Sequence, residues 1–290
     1  MTEQSICWIN GELTPGSEAK VSIYDHGFLY GDGVFEGIRF FRRSPFLLQE
    51  HLQRLENSAQ AIALKLPYSL TEISSAVAEV IAAYPDDSGY LRLVVTRGVG
   101  ALGLDPKGCR QPSLFIMADS LDMVSESART QGARLITAST RRLPIEGLDP
   151  RIKSLNYLNQ ILARIEANHA GADEAVLLNQ AGRVAEGTAD NLFIVAKNRL
   201  LTPPPIEGAL EGVTRNLIIV LATQMRMSVT ETPLAPYDLY NADECFLTGT
   251  GAELIPVAEV DGRAIKSCPG PLFTELERGY RAKISAETSY

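Results

Sequence analysis

The stretch IKSLNYLNQILARIEANHAGADEAVLLN, residues 152–179, predicts a long helix followed closely by a buried strand. Apolar residues recur on one side of the segment at spacings of three and four, which is typical of an amphipathic helix. Gly171 suits the end of such a helix, and EAVLLN has the composition of a strand. We therefore expect a helix over about residues 154–170, whose apolar side carries Leu155, Leu158, Leu162 and Ile165.

Strand and helix patterns alternate on both sides of this stretch, so the chain is expected to be a mixture of α and β structure. Further helices are predicted over residues 51–64, 70–83 and 213–225. Strands are predicted at CWINGEL (7–13), KVSIYD (20–25), VFEGIRFF (34–41), YLRLVVTR (90–97), PSLFIMAD (112–119), ARLITAS (133–139), EAVLLN (174–179), RVAEG (183–187), NLFIV (191–195), RLLT (199–202), SVTET (228–232) and ECFLT (244–248).

The chain has 290 residues, a length that suggests two domains. Residues 120–132 are polar and lack a period, which indicates a linker. The predicted organisation is a smaller N-terminal domain over residues 1–119, the linker, and a larger C-terminal domain over residues 133–290.

Composition excludes several classes of protein. The formal net charge is −8 and there is no block of Lys and Arg, so binding to nucleic acid or to an anionic membrane is not expected. No apolar run is long enough for a membrane span, and the first residues lack the pattern of a signal peptide. The four cysteines are scattered, which predicts reduced thiols in a cytosol. The three histidines are too few and too far apart to predict a metal site built on imidazoles.

The segment from Gly98 to Gly103 matches the G-x-G-x-x-G pattern of dinucleotide-binding proteins directly after a predicted strand. That function needs a helix to begin at the turn, because the helix N-terminus binds the pyrophosphate. The following residues, LDPKGCRQP, contain two prolines and a glycine. A nicotinamide-dependent oxidoreductase is therefore a weaker alternative, and a flexible glycine-rich loop is the simpler interpretation.

Lys153 is the lysine best placed for covalent amine chemistry. Such chemistry needs an amine that can lose its proton in a partly desolvated pocket. The chain has seven lysines, and most lie beside turn-like sequence where a solvated role is usual. Lys153 instead lies at the boundary between an apolar-containing loop and a long helix, a common place for catalytic residues.

Five segments in order resemble the class IV (fold-type IV) pyridoxal-phosphate aminotransferases, and the branched-chain amino-acid enzymes in particular. The resemblance extends over nearly the whole chain and implies a two-domain α+β fold with a smaller N-terminal α/β domain and a larger β-rich C-terminal domain. The segments are HLQRLENSA (51–59), IKSLNYLNQ (152–160), RVAEGTADNLFIV (183–195), EGVTRN (211–216) and FLTGTGAE (246–253).

The resemblance assigns roles around a pyridoxal 5'-phosphate cofactor. It implies that Lys153 binds the cofactor covalently and moves a proton, that Glu186 pairs with the pyridine nitrogen, and that Tyr157 donates to the phenolic oxygen. The residues that it implies for the phosphate are Arg54, the backbone of Val213 and Thr214, and the hydroxyl of Thr250.

The resemblance also implies a substrate set, namely transfer of the amino group of Leu, Ile or Val to 2-oxoglutarate. D-amino-acid transaminases, R-amine transaminases and aminodeoxychorismate lyase share the fold and stay open as alternatives. Tyr157 and the absence of an Arg-x-His pair from the loop GVGALGLDP (98–106) favour the branched-chain enzyme. The implied substrate-binding residues are Tyr30, Phe35, Gly37, Tyr90, Arg92, Gly251 and Ala252.

The resemblance finally implies a homodimer, and the cysteines and the first residues predict that it is cytoplasmic. In it, Tyr30 and the glycine-rich loop would reach the neighbouring subunit's site, with Leu102 and Leu104 covering the substrate there.

Overall fold

A computed structural model describes residues 5–121 and 124–288. These residues form two compact units: unit 1 contains residues 5–121, 152–156 and 284–288, and unit 2 contains residues 124–151 and 157–283. The predicted division at residues 119 and 133 stays a prediction. Its outermost residues (1–4, 289 and 290) and two residues of its linker (122 and 123) lie outside the described part of the chain.

Unit 1 is built on a six-stranded sheet with the strand order β2-β1-β6-β5-β3-β4, in which neighbouring strands are antiparallel. Its strands are β1 (Ile6–Ile9), β2 (Glu12–Pro15), β3 (Gly33–Phe41), β4 (Ser44–Pro45), β5 (Gly89–Thr96) and β6 (Ser113–Asp119). Its helices are α1 (His26–Tyr30), α2 (Leu48–Ala61) and α3 (Leu70–Ala83).

Helices α2 and α3 share one apolar core with the sheet. Alternate residues of β3 and β5, among them Ile38 and Leu93, pack with Leu52 and Leu55 of α2 and Val77 of α3. Because successive strand residues point to opposite faces, the residues between these core positions lie on the other face of the sheet. Most of the predicted substrate-binding residues of unit 1 belong to that second face.

The predicted helix over residues 70–83 has the bounds of α3, since Ser69 and Glu72 form a reciprocal capping box at its N-terminus. The predicted strand at residues 20–25 is wrong. Asp25 instead caps α1, accepting a hydrogen bond from the Gly27 N–H (2.8 Å) and another from the Thr96 hydroxyl (2.8 Å). The short polar side chain thus starts a helix where the apolar alternation indicated a strand.

Unit 2 contains a nine-stranded mixed sheet with the order β12-β11-β10-β13-β14-β7-β8-β9, and β15 pairs with β14. Its strands are β7 (Ala133–Thr137), β8 (Glu174–Leu178), β9 (Val184–Glu186), β10 (Asn191–Ala196), β11 (Arg199–Thr202), β12 (Ser228–Glu231), β13 (Glu244–Gly249), β14 (Glu253–Val260) and β15 (Arg263–Ala264). Its helices are α4 (Glu126–Gln131), α5 (Leu158–His169), α6 (Val213–Gln224), α7 (Pro236–Tyr240) and α8 (Pro271–Glu287), the last of which ends in residues grouped with unit 1.

Helix α5 begins four residues later than predicted because residues 153–155 bond to β3 instead of continuing the helix. Ser154 forms a bridge with Val34, the Phe35 N–H donates to the Lys153 carbonyl (2.9 Å), and the Leu155 N–H donates to the Gly33 carbonyl (3.0 Å). This short segment therefore pairs with β3 and belongs to unit 1.

Helix α4 lies within the predicted linker. Ser125 accepts a hydrogen bond from the Ala128 N–H, and Arg129 donates to the Ala252 carbonyl (3.1 Å). Polar composition concealed this helix, because a single capped turn buries little apolar surface. No helix in the described residues combines the length and apolar character that crossing a membrane requires.

Candidate active site

Lys153 is fixed through its backbone to two elements of unit 1. Its carbonyl accepts from Phe35 on β3, and its N–H donates to the Ser58 hydroxyl on α2 (3.1 Å). The side chain is half-buried, with Nζ 4.6 Å from the centre of the Phe35 ring. These contacts place the amine on the sheet face opposite the apolar core.

The surroundings of Lys153 weaken its hold on a proton. Burial lowers the pKa of Lys153 to about 8, the Arg54 guanidinium adds to this effect, and Glu36 opposes it. At pH 8 about half of the amine is then neutral, whereas an ordinary lysine would be almost fully protonated. A neutral amine is the nucleophilic form that carbonyl chemistry requires.

Four predicted substrate-binding residues lie around this amine on β3 and β5. Gly37 pairs with Arg92 in the ladder, and Phe35 and Tyr90 are two positions away on the same face. The Arg92 guanidinium carbon lies 3.5 Å from the centre of the Phe35 ring. A Cβ on Gly37 would lie 1.8 Å from the Tyr90 hydroxyl, so glycine is needed there for the tyrosine to occupy its position.

Arg54 lies on α2 and contacts a carboxylate that the sequence did not single out. Its Nε and Nη2 donate to the two oxygens of Glu36 at 2.7 and 2.8 Å, and His51 Nδ1 lies 2.7 Å from Glu36 Oε2. Glu36 and His51 are fully buried. The Arg54 side chain is 13% exposed, whereas that of Glu36 is not exposed.

Tyr30 holds the glycine-rich loop of its own chain. Its hydroxyl accepts from the Gly103 N–H (3.0 Å), and the buried His26 places Nε2 2.9 Å from the Ala101 carbonyl. In the described residues, only a single 3-10 turn (Pro106–Gly108) follows this loop before β6. The helix that dinucleotide binding requires is therefore missing, and the oxidoreductase alternative is wrong.

In unit 2, Glu186 ends β9 and is also paired with an arginine. Its Oε1 lies 3.0 Å from Arg142 Nη2, and its Oε2 accepts from the Leu210 N–H (2.8 Å). Arg142 is buried as well, and its Nε donates to the Gly208 carbonyl (3.0 Å). Arg142 was missed by the sequence analysis because it lies far from Glu186 along the chain, in a loop without a motif.

The first turn of α6 carries Val213 and Thr214, both of which are buried. The residue before the helix is Gly212, which provides no side-chain cap. The backbone N–H groups of a first helical turn lack partners within the helix, so they form an anion site when a side chain does not cap them. A Cβ on Gly212 would lie 2.0 Å from the Asn191 amide oxygen, and Asn191 donates to the Leu210 carbonyl (2.8 Å). Close packing therefore fixes this helix end.

The turn between β13 and β14 contains Thr250, Gly251 and Ala252. Asn191 pairs with Thr248 near the end of β13, so this turn lies on the same side of unit 2 as the segment that precedes α6. The turn thus carries one hydroxyl and several backbone N–H groups at the end of β13.

The predicted site residues fall into one set in each unit. Unit 1 groups Lys153, Arg54, Phe35, Gly37, Tyr90 and Arg92 on or beside β3 and β5, with Tyr30 at the loop. Unit 2 groups Glu186, Val213, Thr214, Thr250, Gly251 and Ala252, while Tyr157 immediately precedes α5. Their roles stay predictions. Glu36, His51 and Arg142 are the additions that the structure makes.

Comparison with known proteins identifies the family. The profile of the family described as amino-transferase class IV matches residues 33–260, which is more than half of the chain. The chain is 48% identical over 261 residues to a putative branched-chain-amino-acid aminotransferase of Methanocaldococcus jannaschii, with 90% of this chain and 89% of the relative covered. The chain therefore belongs to the class IV aminotransferases.

Solved structures agree with this assignment. The crystal structure of the Escherichia coli branched-chain amino acid aminotransferase matches with a TM-score of 0.94 at 33% identity, covering 98% of this chain and 96% of that one. The branched-chain amino acid aminotransferase of T.th., solved with N-(5'-phosphopyridoxyl)-L-glutamate, matches with a TM-score of 0.91 at 36% identity, covering 97% and 94%. The predictions of an aminotransferase and of the fold-type IV architecture are confirmed.

Proposed function

We propose that this chain is a pyridoxal-phosphate-dependent transaminase that exchanges the amino group of L-leucine, L-isoleucine or L-valine with 2-oxoglutarate. The observation that carries the proposal is Lys153, an amine with a pKa of about 8 beside Phe35 and Arg92. The relatives with the same fold are branched-chain enzymes, and one was solved with a phosphopyridoxyl derivative of L-glutamate.

The residues present fit this cofactor. A half-buried amine suits an aldehyde, the uncapped α6 N-terminus and the Arg54 guanidinium suit a phosphate, and the Glu186 carboxylate suits a protonated ring nitrogen. When bound, pyridoxal phosphate withdraws electrons from the substrate's α-carbon. Lys153 would hold the aldehyde and would carry a proton to or from the substrate's α-carbon, and Tyr157 would donate a hydrogen bond to the ring oxygen. Val213, Thr214 and Thr250 complete the donors for the phosphate.

The substrate must fit a pocket that accepts both an aliphatic side chain and a second carboxylate. Phe35 offers an apolar ring, and Arg92, held against that ring, offers a cation for the distal carboxylate of glutamate. Tyr30, Gly37 and Tyr90 shape the same face, and the N–H groups of Gly251 and Ala252 bind the α-carboxylate. Phe35 and Arg92 would thus serve the amino donor and the acceptor in turn.

The proposal is tested by offering L-leucine, D-alanine and R-1-phenylethylamine separately with 2-oxoglutarate and measuring the keto product. We expect product from L-leucine at least about 100-fold faster than from the other two. The other two compounds would leave polar groups of the site without their partners, which lowers the rate by factors of this order or more. A preference for D-alanine or the R-amine would replace the proposal with the D-amino-acid or R-amine alternative. Borohydride trapping of the cofactor should label Lys153.

We further propose a cytoplasmic homodimer. Each unit exposes several large apolar side chains, a feature that marks interaction surfaces when the residues form a patch. In unit 1 the exposed residues are Val21, Ile23, Tyr24 and Phe28, with Leu102 and Leu104 in the glycine-rich loop; in unit 2 they are Leu158, Ile161, Leu162 and Ile165, which form one stripe of α5. Sedimentation equilibrium should give twice the chain mass, and Leu162→Glu should shift the protein toward the monomer.

A further inference from the structure

Glu36 is a carboxylate in the apolar core of unit 1. On β3 it shares a face of the strand with Val34, Ile38 and Phe40, all of which are fully buried. Burying a charge is costly unless it is paired, and an apolar residue of similar size would often serve stability as well or better. A carboxylate at this position therefore points to a task other than packing.

The partners of Glu36 lie one helical turn apart on α2. Arg54 meets the carboxylate with two nearly parallel hydrogen bonds (2.7 and 2.8 Å), and His51 occupies the Oε2 atom from the other side (2.7 Å). Two parallel contacts fix the plane of a guanidinium as well as its position. A third partner then fixes the carboxylate itself, so that neither ion can rotate.

The charge states of this cluster follow from its burial. Burial alone would raise the pKa of the Glu36 carboxyl, but Arg54 and His51 hold that pKa well below its usual range. Burial lowers the pKa of His51, and Glu36 opposes that effect. A neutral His51 beside an ionised carboxylate must carry its proton on Nδ1, because that carboxylate can only accept. The cluster is thus one ion pair held by a neutral donor.

Strand β3 and helix α2, which carry the cluster, also hold the backbone of Lys153. Phe35, the neighbour of Glu36, donates to the Lys153 carbonyl, and Ser58, one turn beyond Arg54, accepts from its N–H. A shift of α2 against β3 would therefore displace the arginine and the lysine together. The cluster spans the contact between these two elements.

We propose that Glu36 and His51 are positioning residues that orient the Arg54 guanidinium for the phosphate of the cofactor. This inference rests on the proposed function, in which Arg54 binds that phosphate. It assigns Glu36 no contact with the cofactor or the substrate. The cofactor's phosphate, and not its aldehyde or ring, is the group whose binding should depend on Glu36.

The test compares pyridoxal phosphate with pyridoxal, which has the aldehyde and ring but no phosphate. Both are titrated by absorbance into cofactor-free protein, and the ratio of the two dissociation constants is taken for each variant. Glu36→Gln should weaken pyridoxal phosphate about 30-fold and pyridoxal less than about threefold, as expected for the loss of an oriented charged hydrogen bond. His51→Asn should also weaken the binding of pyridoxal phosphate relative to that of pyridoxal, but by a smaller factor.

Two controls keep the ratio interpretable. Glu50→Gln removes an exposed carboxylate from α2, the helix that carries His51 and Arg54, and should leave the ratio unchanged. Because both ligands are measured on the same preparation, partial unfolding of a variant cancels in the ratio. In an Arg54→Met background, Glu36→Gln should have no further effect on the ratio if it acts through the arginine.

The outcomes separate the two proposals. Wild-type protein that binds neither compound would overturn the proposed function together with this inference. Wild-type protein that prefers pyridoxal phosphate, with an unchanged preference in Glu36→Gln, would overturn the inference alone. An additional effect of Glu36→Gln in the Arg54→Met background would show that the glutamate acts by another route and would also overturn it.

Discussion

The two units each contain a buried carboxylate paired with an arginine, and the two pairs have opposite roles in the proposed mechanism. In unit 1, Glu36 supports Arg54, and the arginine is the proposed ligand contact. In unit 2, Arg142 supports Glu186, and the carboxylate is the proposed ligand contact. The same ion pair can thus present either charge, depending on which elements hold it.

The contacts that fix the supporting partner, Glu36 in unit 1 and Arg142 in unit 2, differ between the units. Glu36 is held by two side chains of one helix, whereas Arg142 is held by the Gly208 carbonyl and by Asn159 (3.3 Å) of α5. A regular strand and helix present the cation in unit 1, whereas in unit 2 the supporting arginine lies in a loop and is held by a turn carbonyl and a helical side chain. The comparison predicts that variants of the two pairs damage different steps.

The largest expected effect comes from Lys153→Ala. Because no other described group supplies the amine in this account, turnover should fall by more than about 1,000-fold, and the visible absorbance of the bound cofactor should vanish. Absorbance spectra and keto-acid production measure both effects. Lys65→Ala is a control on the same unit, and retention of either signal in Lys153→Ala would contradict the assignment.

The next effect separates the two pairs directly. Glu186→Gln should retain the cofactor but lower kcat by about 100-fold, because a neutral amide no longer stabilises a protonated ring nitrogen. Glu36→Gln should instead weaken cofactor binding and leave kcat within a few-fold at saturating cofactor. Steady-state kinetics over a series of cofactor concentrations distinguishes them. Equal losses of kcat in both variants would remove the contrast.

A smaller effect is expected from Arg92→Met, which keeps much of the side-chain volume but removes the cation. The KM for L-glutamate should rise about 30-fold, because a charged contact to its second carboxylate is lost. The KM for L-leucine should change less than about threefold. Arg278→Met, at an exposed position on α8, is the control. A parallel rise for both substrates would contradict the specific role of Arg92.

The smallest effect concerns stability in unit 2. Burial alone would raise the pKa of the Glu166 carboxyl, but hydrogen bonds from Thr140 and Ser139 lower that pKa to about 2. A carboxylate whose folded pKa is depressed stabilises the fold above its unfolded pKa of 4.5, and that contribution is lost as pH falls toward 2. Glu166→Gln should therefore lower stability by about 1 kcal/mol at pH 7, with the difference from wild type shrinking below pH 4.5.

Urea unfolding of wild type and Glu166→Gln at pH 7, 5, 4 and 3 measures this change, and Glu275→Gln provides an exposed control. A difference that stays constant over the series would mean that the hydrogen bonds to Ser139 and Thr140 do not depend on the charge of Glu166.

The sequence predicted regular elements well where local chemistry and periodicity agreed. Helix α3 has its predicted bounds because its cap is four residues of local sequence, and β3 was recognised from VFEGIRFF. Residues 20–25 were predicted wrongly because the cap formed by Asp25 overrides an apolar alternation. Four candidate residues of unit 1 lie together because they share the β3–β5 strand pair, while the roles of all the candidates stay predictions.

The supporting residues escaped prediction for a different reason. Glu36 and His51 act through contacts between a strand and a helix, and Arg142 reaches Glu186 from a loop without periodicity. One signal was available: a glutamate among the apolar residues of β3 breaks the pattern at a core position, which calls for a buried partner. The partner's identity required the packing of α2 on the sheet.

The space between Gly37 and Tyr90 also sets a condition for enzyme engineering. A side chain at residue 37 collides with the outer end of the Tyr90 side chain, so a library that varies this glycine alone also displaces the tyrosine. Randomising both positions together, with small residues permitted at 90, turns an incompatible pair of single steps into one viable step. New amine specificities are then to be sought among double variants.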